Sequence, residues 1–430
     1  MIYWAPFFHL YQPPTQIYSV LKKVCDEAYY PLLQVFRDHP HAKATVNIQG
    51  VLSEMLWERG EKGVLEGLKE LAERGQIEFT GSAKYHPILP LIPVDEMKHQ
   101  IRRNHLTNRH FLGDLYQPRG FFPPEMAYSR EVLEPVMESR HEWLILAGVA
   151  CPAPWPMDII YQTEVGGERL AVFFRDDILS NKISFQGIDG PGFIQHLQSL
   201  RSDKGDIYVI TAMDAETFGH HILNWEKLFL HEVYDAIVPH SPEAPLKQRR
   251  ALDQQARDLF AYAPAEIAVV TISELLKRFP RGPAAEPRAG SWSTSLEDMK
   301  AENPYPLWNA KDNPIHHKQW EHLGLAIALV KKALKLADNT DSRRYADIAR
   351  GLLDPATHSC QFWWASCKPW WDINMIHRGL MEQQEVILNA YRAIQLSGCP
   401  EAEKREAYYK LVASRDLAVK IVDRILAGSA

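Results

Sequence analysis

A chain of 430 residues with 46% hydrophobic and 24% charged content has room for a large core and more than one domain. A net charge of −6 with no basic face gives no reason to expect a nucleic-acid partner, and no run approaches the about 20 apolar residues of a membrane helix. The N-terminus enters an apolar run at Ile2 without a basic leader, and the five scattered cysteines (Cys25, Cys151, Cys360, Cys367, Cys399) read as free thiols, so a cytoplasmic protein is expected.

Short apolar runs alternate with helical patterns over the first two-thirds. Strands are expected at 2–9, 42–48, 76–81, 119–122, 143–146, 170–175, 207–213 and 267–272. Helices are expected between them at 16–38, 51–74, 95–113 and 129–139. This alternation argues for a parallel α/β architecture, and its density favours a closed or nearly closed barrel over an open sheet. Asp95 after Pro93-Val94, and Ser273-Glu274 before Leu275, read as helix starts. Periodicity stops over 279–290, where Pro280, Gly282, Pro283 and Pro287 mark a linker. Beyond about residue 310 the pattern is helical at 318–337, 342–353, 376–396 and 401–426. The expected division is therefore a barrel over 1–280, a linker and cleft-lining loop over 281–310, and an α-helical domain over 311–430.

Chemistry in parallel barrels sits at the carboxyl ends of strands. Read this way, the strand ends offer His9, Glu78, Glu125 and Asp214. Each has a plainer reading: a structural His, an edge-strand Glu, and for Glu125 a cap on the helix starting near Ser129. Their joint occurrence favours a site, and Pro123-Pro124 stiffens the loop that aims Glu125. Two carboxylates at strand ends, in a chain with 12 tryptophans, suit cleavage of a glycosidic bond.

The motifs resemble those of glycoside hydrolase family 57. They occur in order: Phe8-His9-Leu10-Tyr11-Gln12-Pro13; Gly75-Gln76-Ile77-Glu78-Phe79-Thr80-Gly81 running on to His86-Pro87-Ile88-Leu89-Pro90; Phe122-Pro123-Pro124-Glu125-Met126-Ala127-Tyr128; Met213-Asp214-Ala215-Glu216-Thr217-Phe218-Gly219-His220; and Gly290-Ser291-Trp292 with Trp308 and Trp320 downstream. The resemblance implies an irregular (β/α)7 barrel followed by an α-helical C-terminal domain. It also implies a retaining enzyme on α-1,4-glucans, with Glu125 as nucleophile and Asp214 as acid/base. His9, Tyr11, Gln12, Glu78, His86, Glu216, Phe218, His220 and Trp292 would then hold the sugar, with Trp292 read either as an aromatic platform or as a packing residue between domains. The second His of the family's first motif is replaced by Tyr11, which donates a hydrogen bond but carries no charge near neutral pH.

Retention would place the carboxyl groups about 5–5.5 Å apart, inversion roughly 6.5–9.5 Å. Glu216 competes with Asp214 for the acid role, because residues two apart on an extended segment face the same way; the resemblance favours Asp214. The second motif is closest to the amylase and amylopullulanase members, so hydrolysis of an α-glucan or maltooligosaccharide is expected, with 4-α-glucanotransfer or branching as alternatives. Two further classes stay open. One is a metal-dependent carbohydrate deacetylase or mannosidase using His9, Asp214, His220 and His221; the other is a non-catalytic glucan-binding homologue. No His-x-x-x-His spacing supports the first, and no metal or cofactor is expected. Phe362-Trp363-Trp364 and Pro369-Trp370-Trp371 fall between predicted helices, as lids, glucan-binding loops or packing.

Overall fold

The structure is a computed structural model, which describes residues 1–200, 205–237, 267–368 and 372–428. Two compact units emerge, one of residues 1–84 and 97–292, the other of 85–96 and 293–430. Among the described residues no helix is long and apolar enough to cross a membrane.

Among the described residues the first unit is built on ten strands: β1 (Ile2–Leu10), β2 (Ala44–Ile48), β3 (Ile77–Gly81), β4 (Gly120–Phe121), β5 (Trp143–Leu146), β6 (Ile160–Val165), β7 (Glu168–Phe174), β8 (Ile207–Asp214), β9 (Ile267–Val269) and β10 (Arg281–Ala284). Seven of them, in the order β7-β5-β4-β3-β2-β1-β8, form the parallel sheet of an irregular (β/α)7 barrel. The sheet curls until its ends meet, where Asp176 N–H donates to Ile210 O at 2.8 Å. Every residue of β1 is buried, as a strand covered on both faces requires.

Alternation fixes what faces inward. Tyr3, Ala5 and Phe7 of β1, Ala171 and Phe173 of β7, and Tyr208, Ile210 and Ala212 of β8 share one apolar cluster with Trp143 and Ile145. The turn after β9 enters the same cluster through Val270, Ile272 and Leu275. Each inward series ends in a polar residue, namely His9, Arg175 and Asp214. Because β1 pairs with β8 so that His9 is level with Asp214, the two face each other's strand across one rung.

Three local differences from expectation have simple causes. The 51–74 helix is two, Gly50–Glu58 and Lys62–Glu73, broken at Gly60, whose φ of +88 no helix accommodates. β6 was not anticipated; it joins β7 as a hairpin through Gly166-Gly167, both at positive φ. The stretch read as linker carries β10, which pairs with β6 at the edge of the sheet, where Pro283 costs no ladder bond.

Among the described residues the second unit holds four long helices, Pro314–Leu336, Thr340–Ala356, Ile373–Leu396 and Glu401–Leu426. Asn313, Asn339 and Asp372 cap the first three by accepting backbone N–H bonds. The 85–96 segment is tied to them by ion pairs from Asp95 to Lys331 and from Glu96 to Arg350. Trp320 stacks on Phe362 at 3.9 Å and 3°, and Trp363 meets Trp364 edge-on. These three tryptophans are half-buried and packed. Trp370 and Trp371 lie outside the described residues. The five cysteines are unpaired by disulfides.

Candidate active site

Glu125 is presented by a strained turn. Pro123-Pro124 lead into a single 3-10 turn, Pro124–Met126, in which Glu125 (φ +59) and Met126 (φ +49) both take left-handed backbone. Such a conformation costs about 1–3 kcal/mol per non-glycine residue and persists only where surroundings enforce it. Here Glu125 O accepts from Trp292 N at 3.1 Å, and Tyr128 and Gly290 exchange two backbone bonds at 2.8 and 3.2 Å. The Gly290-Ser291-Trp292 loop is thereby locked to the Glu125 turn. Trp292 Nε1 donates to Glu125 Oε2 at 2.7 Å.

Asp214 ends β8, level with His9. His9 Nδ1 bonds Asn47 Oδ1 at 2.8 Å, and Asn47 Nδ2 donates to Thr80 Oγ1 at 3.0 Å. Since Asn47 turns its oxygen to the imidazole, His9 Nδ1 carries the proton and Nε2 is left as acceptor. Burial lowers the His9 pKa, partly offset by the Asp214 charge, so the ring is neutral at neutral pH. Tyr11 stacks its ring on His9, with centroids 6.1 Å apart.

The Asp214 charge raises both other acids. Burial, then the Asp214 charge, pushes Glu125 up to about 8, against the Trp292 hydrogen bond. Burial also raises Asp214, opposed by His9 and Arg175. Glu216 is buried, accepts from Tyr29 Oη and, at 3.0 Å, from Gln12 Nε2, and is pushed to about 8 by burial and by Asp214. Three carboxyl groups in one low-dielectric space cannot all ionise, so the cluster retains protons at neutral pH.

The remaining expected residues separate. Trp292 is no open platform: half-buried, its ring meets His9, Phe122 and the Arg175 guanidinium. Glu78 pairs with Thr45, which is level with Phe7, one inward rung below His9. It accepts from Thr45 Oγ1 at 2.8 Å and Ser273 N at 2.9 Å, so its position in β3 holds it beneath the strand ends. Phe218 is fully buried against Phe8 and Phe229. His220 Nδ1 bonds Glu27 Oε2 at 2.7 Å. His86 belongs to the second unit, where its Nδ1 bonds Ser359 Oγ at 2.9 Å. Among the described residues no three His, Cys, Asp or Glu side chains gather as metal ligands.

Sequence reasoning passed over Arg175, Asn47 and Tyr29. Arg175 was legible as the polar residue that follows the apolar end of β7, and Asn47 as a second inward polar residue of β2 after Thr45. Tyr29 was not, because a π-helical turn, Cys25–Tyr29, rotates it toward Glu216.

Two buried carboxyl groups, both raised by burial, meet at the carboxyl end of a (β/α)7 barrel, the arrangement that acid/base chemistry uses. The model of glycosyl hydrolase family 57 matches residues 7–280, and the chain belongs to that family. It is 31% identical to an alpha-amylase of Pyrococcus horikoshii over 241 residues, 53% of this chain and 36% of that protein. It is 25% identical to a 4-alpha-glucanotransferase of Thermococcus litoralis over 372 residues, 78% of this chain and 51% of the relative. The chain thus spans only a third to a half of the length of these relatives. A crystal structure of a branching enzyme from Pyrococcus horikoshii superposes with TM-score 0.68 at 15% identity, covering 98% of this chain and 96% of the other, a likeness of fold.

Proposed function

We propose that the protein is a retaining glycosidase acting on α-1,4-glucans or maltooligosaccharides, with Glu125 as nucleophile and Asp214 as proton shuttle. The observation that carries this reading is the Glu125–Trp292 hydrogen bond set beside Asp214. The Trp292 N–H favours the ionised form of Glu125 against the burial and the Asp214 charge that raise it, and the reading requires the proton shared by the two acids to sit on Asp214 when the glycosidic bond breaks. Glu125 then attacks the anomeric carbon and forms an ester, while the departing oxygen takes the bonding pair and the proton of Asp214. In the second step an acceptor O–H gives its proton to Asp214 as its oxygen displaces Glu125. His9, with Nε2 as acceptor, and Tyr11 stacked on it are proposed to meet the sugar hydroxyls.

Water as acceptor gives hydrolysis, the reading favoured by the motif around His86. A sugar as acceptor gives glucanotransfer. That second reading has its own support, since the glucanotransferase alignment extends over 78% of the chain. Free cysteines fit a cytoplasmic setting. Product analysis on maltotriose and amylose separates the readings: shorter products alone mean hydrolysis, longer ones transfer. Glu125→Gln is expected to abolish turnover with glucan binding kept, and unchanged activity would remove Glu125 from the reaction.

A further inference from the structure

We propose that Arg175 is a positioning residue, a buried fixed cation that stabilises Asp214 as a carboxylate while the sugar is esterified to Glu125, and so governs the second half-reaction. The inference rests on the double-displacement reading above.

Arg175 follows β7 and extends its inward series, with 4% of its surface exposed. Three of its nitrogens are fixed: Nε donates to Ala212 O at 2.7 Å, Nη1 to Asp177 Oδ1 at 3.0 Å, and Nη2 to Asn181 Oδ1 at 2.8 Å. Asp177 is itself held, its Oδ2 accepting from Val149 N at 2.8 Å. Ala212 stands two residues before Asp214 on β8, and the guanidinium carbon lies 5.5 Å from the centre of the Trp292 ring that reaches Glu125. One planar cation thus touches the mounts of both carboxylates. A guanidinium stays charged at any working pH and is weakly hydrated, which suits a permanent buried charge.

The two half-reactions place opposite demands on Asp214. It must hold a proton when the glycosidic bond breaks and be ionised when the acceptor attacks. The groups facing it are His9 from β1, Glu125 from the turn after β4, Glu216 from its own turn and Arg175 from just past β7. Asp176 and Asp177 face Arg175 in turn. Once Glu125 is an ester it carries no charge. His9 is neutral, and Glu216 is protonated at neutral pH. Arg175 is then the charged neighbour that meets the newly formed Asp214 carboxylate, with Asp177 moderating it.

α-Maltosyl fluoride isolates this step. Fluoride leaves with the bonding electron pair and needs little help from an acid, after which water attacks C1, its proton passes to Asp214 and the bond to Glu125 breaks. The pH dependence of kcat is measured for the wild type, Arg175→Met, Arg175→Lys and Asp177→Asn. Arg175→Met is expected to move the acid limb up by about one pH unit, which lowers kcat on that limb about tenfold while leaving the plateau. Arg175→Lys keeps the charge and leaves the limb in place, whatever its overall rate. Asp177→Asn keeps one of the two acceptor oxygens and removes a moderating charge, so its limb moves to lower pH; this arm decides the matter even where Arg175→Met fails to fold. An unmoved limb in both Arg175→Met and Asp177→Asn overturns the proposal and leaves double displacement standing. A wild type that does not turn over the fluoride takes down both.

Discussion

Removing the charge of Glu125 should make the protein more stable, increasingly so as pH rises. An acid raised from 4.5 to about 8 on folding holds its proton more tightly in the folded state than in the unfolded chain. Its contribution is therefore fully present below pH 4.5 and is lost as pH rises through 8. If Glu125 bore this alone, the cost of ionising it would reach about 5 kcal/mol at high pH. Glu125 shares its protons with Asp214 and Glu216 and is partly reached by water, so about 2 kcal/mol is a fairer expectation. Glu125→Gln cannot ionise, yet its amide oxygen still accepts from Trp292 Nε1. The thermal midpoints of the two proteins should coincide near pH 4.5 and part by roughly 2–3 °C at pH 8.5, the variant being higher. The assay is a pair of melting series across that range. A difference that is absent, independent of pH or opposite in sign would refute the account of Glu125 as an acid held at a cost to the fold.

Two further outcomes follow from the same geometry. Trp292→Phe deletes the N–H that favours ionised Glu125; a hydrogen bond to a charged group contributes about 1.5–3 kcal/mol, so kcat should fall roughly 10–100-fold with the acid limb displaced upward, and an unchanged pH profile would count against it. Gly219→Ala should lower the melting temperature sharply, because Gly219 sits at φ +114 and an added Cβ would stand 1.8 Å from Glu27 O; a variant as stable as the wild type would show that the π-helical turn yields easily.

The strained turn at Glu125 explains why function here is expensive. Two successive left-handed residues, a half-buried acid and a neighbouring carboxyl group are each unfavourable locally. They persist because the Trp292 loop clamps the turn through both backbone and side chain, and because the barrel beneath is rigid and apolar.

Much of this was legible in the sequence. Apolar runs spaced by amphipathic helices determined the parallel barrel, since burial on both faces of a strand leaves that mark at short range. Glu125 and Asp214 were legible because each follows such a run. What the pattern could not carry was which polar groups meet. Trp292 reaches Glu125 across 167 residues, and Tyr29 reaches Glu216 across 187. The π-helical turn that aims Tyr29 has no periodic signature, and the rung that separates Glu78 from His9 depends on the register of β1, β2 and β3. Register is set by packing across the whole sheet, so only the tertiary structure decided it.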